Sequence, residues 1–469
     1  MRIGALSGDQ FISREHAVLQ VALLIGVVAS GPTSDAVQAG LLVWALRSPL
    51  TAFKALSLFV VVRSLNPQLA SSGVLAGTLA WALPLAVSVR LLPLITRESL
   101  RLLVPLWIVC GLAVGLSVLS SPAVAVSILK ALTLAVVASG VLVGSQRLTL
   151  EETGVLGTWL RTLAVVVTAL SLLTIVRPSL AHMPNSALLN GILNQSQALG
   201  ILLAPFAAAS LAQWMLAGRS AASSHMVAWA AILLCTMLTA SRTAAVAAIA
   251  GFGLGMLGGR VGDSPATAAQ VRRAVGLVVA LGFVLLIVEL ASGSVLPRLS
   301  EFVLKGREGS VEEAFEASRG GLVSDQLRNF MASPWIGNGF GVYADGAFPS
   351  GVKTFLGIPV SAAVEKGVLP TAILEETGIV GFLSVAYMLY VFVSVIWRRG
   401  PHPVLAMFFA CLLVNLGEAI LLSPGGMGLY VWLLMAWCIR AAQLEPAATG
   451  IHAEAQPATP SRPFSNILE

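Results

Sequence analysis

Charged residues set in or beside long apolar stretches are the first candidates for chemistry in this sequence. Arg242 is the only charge between residues 226 and 258. Because a charge inside a bilayer is costly, such a residue needs a surface position or a partner. Arg319 and Arg328 lie in a hydrophilic stretch, and Glu365 and Glu376 lie where the chain becomes apolar again. A carboxylate beside arginines can serve as a base or as a counter-ion, and the sequence leaves both roles open.

A second group of residues could bind a polar ligand. Asn194 and Gln197 stand at the head of an apolar stretch, where buried amides either join helices or face a ligand such as a sugar. Lys130 lies within an apolar stretch, where it either reaches the interface or forms part of a site. Gly337 and Gly339 in the segment WIGNGFGVY allow a tight turn, or a close approach of backbone N–H groups to a ligand.

The elements that must position these residues are membrane-spanning helices. The sequence is 57% hydrophobic and only 11% charged, with a mean hydropathy of +0.88, which excludes a water-soluble domain of this size. We therefore predict an all-α polytopic bundle of about 12–14 spans with one large, partly helical extracytoplasmic loop. The predicted spans are 17–30, 36–46, 50–63, 74–93, 102–120, 122–144, 155–176, 196–216, 225–240, 242–258, 274–292, 371–396, 402–421 and 427–441.

The apolar stretch around Arg242 is too long for one span. At 1.5 Å per residue it would form a helix of about 50 Å, against a hydrocarbon core of about 30 Å. We expect two short helices with a break at Thr239-Ala240-Ser241-Arg242, because Ser and Thr favour helix caps and Arg is least costly at a membrane surface.

Basic residues set the predicted orientation and organisation. Arginines concentrate in alternate short loops, which indicates a cytoplasmic amino terminus and explains the net charge of +6 without nucleic acid. The predicted regions are amino-terminal helices (1–176), central helices with outer-face polar and arginine motifs (177–292), the large extracytoplasmic loop (293–370), carboxy-terminal helices (371–441) and a disordered cytoplasmic tail (442–469). Within the loop we expect two amphipathic helices, separated at Gly320-Gly321 and ending at Pro334.

Four short blocks of sequence resemble one family of membrane enzymes. They are G-I-L-N-Q-S-Q-A-L-G at 191–200, L-T-A-S-R-T-A-A-V at 238–246, S-R-G-G-L at 318–322 with P-W-I-G-N-G-F-G at 334–341, and L-E-E-T-G-I-V-G-F at 374–382. In this order they resemble the O-antigen ligase and O-antigen polymerase family, glycosyltransferases that act on undecaprenyl-diphosphate-linked glycans outside the bacterial plasma membrane.

One departure from the pattern separates two activities. Ligases of this family carry a histidine before the last block, and the matching positions here are Gly367 and Val368. The resemblance therefore favours polymerisation of polysaccharide repeat units, for exopolysaccharide, capsule or O-antigen, over ligation of a glycan to a lipid or protein acceptor.

The resemblance also implies roles for the candidate residues. Arg242, Arg319 and Arg328 would stabilise the diphosphate leaving group, because the planar guanidinium suits phosphate oxygens. Glu365 or Glu376 would be the base. A chain-length regulator and a flippase are candidate partners, beside membrane lipid and the lipid-linked oligosaccharide. No nucleotide fold, haem motif or metal-ligand spacing is visible in the sequence, so we expect neither a cofactor nor a metal site.

Two other classes of function remain open at this stage. A transporter of lipid-linked sugars would place charges near the middle of the membrane, often in two related halves, whereas these polar residues collect at one face and no internal repeat is evident. A non-catalytic scaffold in a cell-envelope assembly would tolerate replacement of every arginine. Measurement of transport and of glycan synthesis separates both classes from the enzyme.

Overall fold

The chain forms a bundle of helices. A computed structural model describes residues 12–70, 73–182, 188–217, 223–258, 320–345, 354–355, 358–359, 366–397 and 399–453. The helices are α1 (Arg14–Ala29), α2 (Gly31–Ala45), α3 (Pro49–Arg63), α4 (Ala76–Leu91), α5 (Arg97–Ser120), α6 (Val124–Gln146), α7 (Leu150–Leu173), α8 (Pro178–Ala181), α9 (Ser196–Ala217), α10 (Ser223–Leu238), α11 (Arg242–Gly258), α12 (Gly321–Ala332), α13 (Leu369–Ile396), α14 (His402–Leu413) and α15 (Gly426–Ala453). Two short strands, β1 (Thr354–Phe355) and β2 (Ile358–Pro359), pair antiparallel.

The predicted all-α membrane fold is confirmed. Within the described ranges, 7 helical segments are long and apolar enough to cross a membrane: Ala76–Leu94, Arg97–Ser120, Val124–Gln146, Leu150–Val176, Ser196–Leu216, Leu369–Ile396 and Gly426–Leu444. Three shorter apolar helices, His225–Leu238, Arg242–Gly258 and His402–Leu416, accompany them. The predicted span at 274–292 lies outside the described residues, and the total of 12–14 spans stays a prediction.

The expected break before Arg242 is confirmed. Helix α10 ends at Leu238 and α11 begins at Arg242, and Ala240 between them has a φ of 46°, in the left-handed region. The Ser241 hydroxyl accepts a hydrogen bond from the Ala244 N–H at 3.4 Å, which caps the first turn of α11. The serine cap predicted from the local sequence is therefore present at the start of α11.

Small residues let neighbouring helices approach closely. Gly251 and Gly255 of α11 lie directly against Ala406 and Ala410 of α14, where an added Cβ would collide with backbone atoms. Without a hydrophobic driving force between helices in lipid, such close backbone contact is a main source of helix association.

Two predicted boundaries differ from the structure. Helix α14 ends at Leu413, short of the predicted 421, because the Asn415 side chain accepts hydrogen bonds from the N–H groups of Ile420 (3.2 Å) and Leu421 (2.7 Å) and turns the chain. Helix α15 continues to Ala453, so residues 442–453 are helical where we expected disorder. This segment contains several alanines, and alanine has the highest helix propensity of any residue.

Arginines gather at one end of the bundle. The Arg90 guanidinium donates to the Arg47 carbonyl at 3.2 Å, and Arg147 donates to the Leu94 carbonyl at 2.8 Å. Arg440 donates through two nitrogens to the Leu148 carbonyl, at 2.9 and 2.7 Å, in the turn between α6 and α7. These helix ends belong to the loops that the sequence predicts to be cytoplasmic.

Candidate functional site

A cavity of about 610 Å³ opens between the other ends of the helices. Its walls come from α3, α4, α6, α9, α13 and the segment that precedes α15. The polar side chains on it are Arg63, Ser64, Lys130, Thr133, Asn194, Gln195, Lys366, Glu376 and Ser423. Apolar side chains, among them Phe59, Trp81 and Leu429, form much of the remaining wall. Such a cavity offers one charged region and one region suited to hydrocarbon.

Contacts between loops bring the parts of the cavity together. The Asn194 N–H donates to the Ser64 carbonyl at 2.8 Å, which joins the segment before α9 to the end of α3. The Lys130 ammonium donates to the Gly341 carbonyl, which joins α6 to the segment that follows α12. The predicted site residues Lys130, Asn194 and Glu376 therefore meet at one cavity.

Helix α13 has a break two residues after the cavity-lining Glu376. Gly378 has φ 62° and ψ −165°, a conformation open essentially to glycine alone. The carbonyls of Glu375 and Glu376 accept hydrogen bonds from the N–H groups of Asn338 and Gly339, each at 2.9 Å. Beyond the break, the Ile379 and Val380 N–H groups donate to the carbonyls of Pro334 (2.9 Å) and Trp335 (3.4 Å). The chain between 334 and 339 is thus inserted where the helix would have bonded to itself.

Two adjacent carboxylates in α13 have different surroundings. Glu375 is buried, with one oxygen 2.7 Å from the Lys366 ammonium and the other accepting from the Asn329 amide at 2.8 Å. Glu376 lines the cavity, where its nearest oxygen lies 3.8 Å from Lys366 and the Gly341 N–H hydrogen-bonds to it. Glu375 therefore has both oxygens engaged by protein, whereas Glu376 faces the cavity.

Three cations surround the cavity. Lys366 is buried, packs over the Tyr343 ring at 5.6 Å and bridges both carboxylates. Lys130 is half-buried on α6, and Arg63 is exposed at the end of α3. Among the described residues no carboxylate pairs with Arg63. A guanidinium on a cavity wall without a protein anion is suited to an anion from solution.

Sequence reasoning missed Lys366 and Arg63 as site residues. Lys366 stands three residues before α13, and Glu375 and Glu376 follow in the first turns of that helix. A lysine just before a predicted span that carries two glutamates was therefore the signal from which Lys366 could have been predicted. Arg63 stands at the last position of the predicted span 50–63. Nothing local to either residue shows that the two lie on one cavity.

Two of the predicted arginines lie elsewhere. Arg328 is on the exposed side of α12 and pairs with Asp325 of the same helix. Arg242 is half-buried at the start of α11 and is not among the cavity-lining residues, although its neighbour Thr243 packs against Gly417, two residues before the lining residue Ala419. The expected cluster of Arg242 with Arg328 is therefore absent from the cavity wall. Arg319 and Glu365 lie outside the described residues.

The predicted binding glycines hold the chain in place. Gly337 and Gly339 have φ values of 69° and 105°, and their N–H groups donate to the carbonyls of Ser333 and Glu376, each at 2.9 Å. Both donors are thus taken by protein, which agrees with the tight turn and not with a backbone site for a ligand. Gln197 accepts from the Ser196 hydroxyl at 3.3 Å and does not line the cavity, whereas its neighbour Gln195 does.

Neither a metal site among the described residues nor a similarity to a known protein assigns the chemistry of this cavity. In the part of the chain that the structure describes, no three His, Cys, Asp or Glu side chains lie together in a way that could hold a metal ion. No family model and no curated protein matches this sequence. The functional assignment therefore rests on the chemistry of the cavity.

Proposed function

We propose that this membrane protein polymerises undecaprenyl-diphosphate-linked polysaccharide repeat units by metal-independent glycosyl transfer at the outer face of the bacterial plasma membrane. The observation that carries the proposal is one cavity that combines three cations, Arg63, Lys130 and Lys366, with the Glu376 carboxylate and an apolar wall. A lipid-linked sugar diphosphate has the complementary parts: an anionic centre, a hydroxyl-rich head and a hydrocarbon tail.

The cations bind and stabilise the leaving group. In the reaction, the bond between the sugar carbon and the diphosphate oxygen breaks, and negative charge builds on that oxygen. Fixed positive groups stabilise such charge strongly where water is excluded, as around the buried Lys366. Arg63 contributes a planar fork that matches two phosphate oxygens, and the two lysines contribute point charges.

The acceptor sugar loses a proton as its hydroxyl oxygen bonds to the donor carbon. Glu376 is the candidate base, because it faces the cavity while Glu375 has both oxygens engaged. The amides of Asn194 and Gln195, on the same wall, suit hydrogen bonding to sugar hydroxyls. The product keeps the growing glycan on one lipid and releases the other lipid as its diphosphate.

The predicted orientation agrees with this chemistry. The positive-inside rule predicts that the arginine-rich end of the bundle is cytoplasmic, and this supports an outer position for the cavity at the other end. Polyprenyl tails would lie against the apolar wall that includes Trp81, a residue 38% exposed on the outer surface of α4.

The test is the size distribution of lipid-linked glycans in cells that lack the gene and carry plasmid-borne variants. We expect the deletion to accumulate single repeat units and lose long chains. Arg63→Gln should lower polymer yield about a hundredfold, as loss of one stabilising donor does in other enzymes. Arg90→Gln, which removes an arginine from the opposite end, is the matched control and should behave as wild type.

Other outcomes would assign the protein differently. Long lipid-linked chains that never reach their final acceptor would indicate a ligase despite the missing histidine. An unchanged pool in the deletion, or full polymer yield from Arg63→Gln, would refute the proposed role of the cavity. Vesicle transport of a lipid-linked sugar would then be measured next.

A further inference from the structure

One segment contacts three of the four charged residues on the cavity wall, Lys130, Lys366 and Glu376. It runs from Gln326 in α12 to Gly341 and contacts α13 and α6. The Gly341 carbonyl accepts from Lys130, and the Gly339 N–H donates to the Glu376 carbonyl. The orientation of these charges therefore depends on where this segment lies.

The polar face of α12 reaches Lys366 by two routes. The Gln326 side chain donates to the Lys366 carbonyl and accepts from the Thr371 hydroxyl. The Asn329 amide donates to Glu375, whose second oxygen holds the Lys366 ammonium at 2.7 Å. The Asn338 amide in turn donates to the Asn329 carbonyl at 3.1 Å, which fixes the end of α12.

Glu375 connects Asn329 of α12 to the Lys366 ammonium. It is 4% exposed and accepts one hydrogen bond from each neighbour, so its position is fixed only when both donors are present. Without Asn329, one oxygen of a buried carboxylate loses its donor and the side chain is free to turn toward other partners. The Lys366 ammonium would then follow Glu375 or move toward Glu376, 3.8 Å away.

From these contacts we infer that Asn329 and Glu375 are positioning residues that hold Lys366 at the cavity, so the diphosphate site is complete only while α12 is docked on α13. The inference rests on the proposed function for the identity of the anion. It makes the large outer loop part of the anion site, although α12 itself contributes no side chain to the cavity wall.

The test is the affinity of the purified full-length protein in lipid nanodiscs for inorganic pyrophosphate, measured by isothermal titration calorimetry. We expect Asn329→Ala to weaken binding about tenfold, the usual effect of losing a hydrogen bond to a charged group. Ser324→Ala, a polar-to-alanine change on the exposed face of the same helix, is the matched control and should leave the affinity at the wild-type value.

A double-mutant cycle separates positioning from general damage. Lys366→Gln removes the ammonium but keeps a donor for Glu375. If Asn329 acts through Lys366, adding Asn329→Ala to Lys366→Gln should cause no further loss of affinity. Glu375→Gln, of the same shape as glutamate, should weaken binding in the same direction even if Asn329→Ala fails to fold.

Three results would overturn the inference: wild-type affinity in Asn329→Ala and Glu375→Gln, full additivity with Lys366→Gln, or absence of pyrophosphate binding by the wild-type protein. Its failure is distinct from failure of the proposed function. If the effects of Asn329→Ala and Lys366→Gln on pyrophosphate binding are not additive but cellular glycans do not change, the polymerase is refuted and the positioning role stands. If polymerisation needs Arg63 but the two effects are additive, the polymerase stands and the positioning role is refuted.

Discussion

Gly378 is the position where a single methyl group should release the loop from the membrane helices. Its φ of 62° and ψ of −165° suit glycine alone, and a Cβ there would collide with the backbone of Trp335. An alanine has two options. It can keep the break, at a strain of about 1–3 kcal/mol, or it can let α13 become continuous.

A continuous helix would change four hydrogen bonds. The Ile379 and Val380 N–H groups would bond to the carbonyls of Glu375 and Glu376, because these pairs are four residues apart. In the structure these two N–H groups and two carbonyls each bond to the segment 334–339 instead. A continuous helix would therefore replace four hydrogen bonds between that segment and α13 with two bonds inside the helix. At about 1 kcal/mol per bond this exchange costs the released state about 2 kcal/mol and so opposes release, whereas the higher helix propensity of alanine offsets about 1 kcal/mol of that cost.

Strain in the docked state and helix propensity in the released state both weaken the docking of α12, by up to about 3 kcal/mol, which corresponds to about a hundredfold faster amide exchange in that helix. Hydrogen exchange followed by mass spectrometry on Gly378→Ala measures this directly on peptides that cover Gly321–Ala332. Gly115→Ala in α5, where an added Cβ meets no atom within 4 Å, is the matched control and should not alter exchange in α12. Unchanged α12 exchange in Gly378→Ala would refute the account of the break.

Further predictions concern the buried charges, the core and the cations. Lys366→Met should lower the free energy of unfolding by about 3–5 kcal/mol, because two buried carboxylates lose their shared cation. Glu375→Gln should lower it by only about 2 kcal/mol. Denaturant titration in detergent compares the two variants, and equal effects would contradict the bridging role of Lys366. Trp159→Ala should lower the free energy of unfolding by about 3–5 kcal/mol in the same assay, because the indole is fully buried and donates to the Ser57 hydroxyl at 3.0 Å. A loss below about 1 kcal/mol, the value of one hydrogen bond, would show that neighbouring side chains fill the space and would contradict the prediction. Polymerisation in membrane vesicles should be unaffected by EDTA, and a loss reversed by magnesium or manganese would mean that side-chain cations do not suffice.

Much of the fold follows from local sequence. Hydropathy predicted helices α1 to α7 and α9 to α11 to within about five residues at each end, since a chain in lipid must satisfy its backbone hydrogen bonds within each segment. The short helix α8 was not predicted. The break before Arg242 was equally predictable, because Thr239 and Ser241 act on the backbone beside them. The ends of α14 and α15 were not, since one depends on hydrogen bonds from the Asn415 side chain and the other on helix propensity without apolar periodicity.

The sequence and the tertiary structure assign different residues to the site. From the sequence we predict that polar residues collect at one end of a membrane bundle, with Lys130, Asn194 and Glu376 among the candidates. The structure adds Arg63 and Lys366 to the cavity and shows Arg328 on an exposed helix face. The reason is physical: hydropathy and capping act between residues close in the chain, whereas the cavity is made by contacts between residues far apart, such as Lys130 with Gly341 and Asn329 with Glu375.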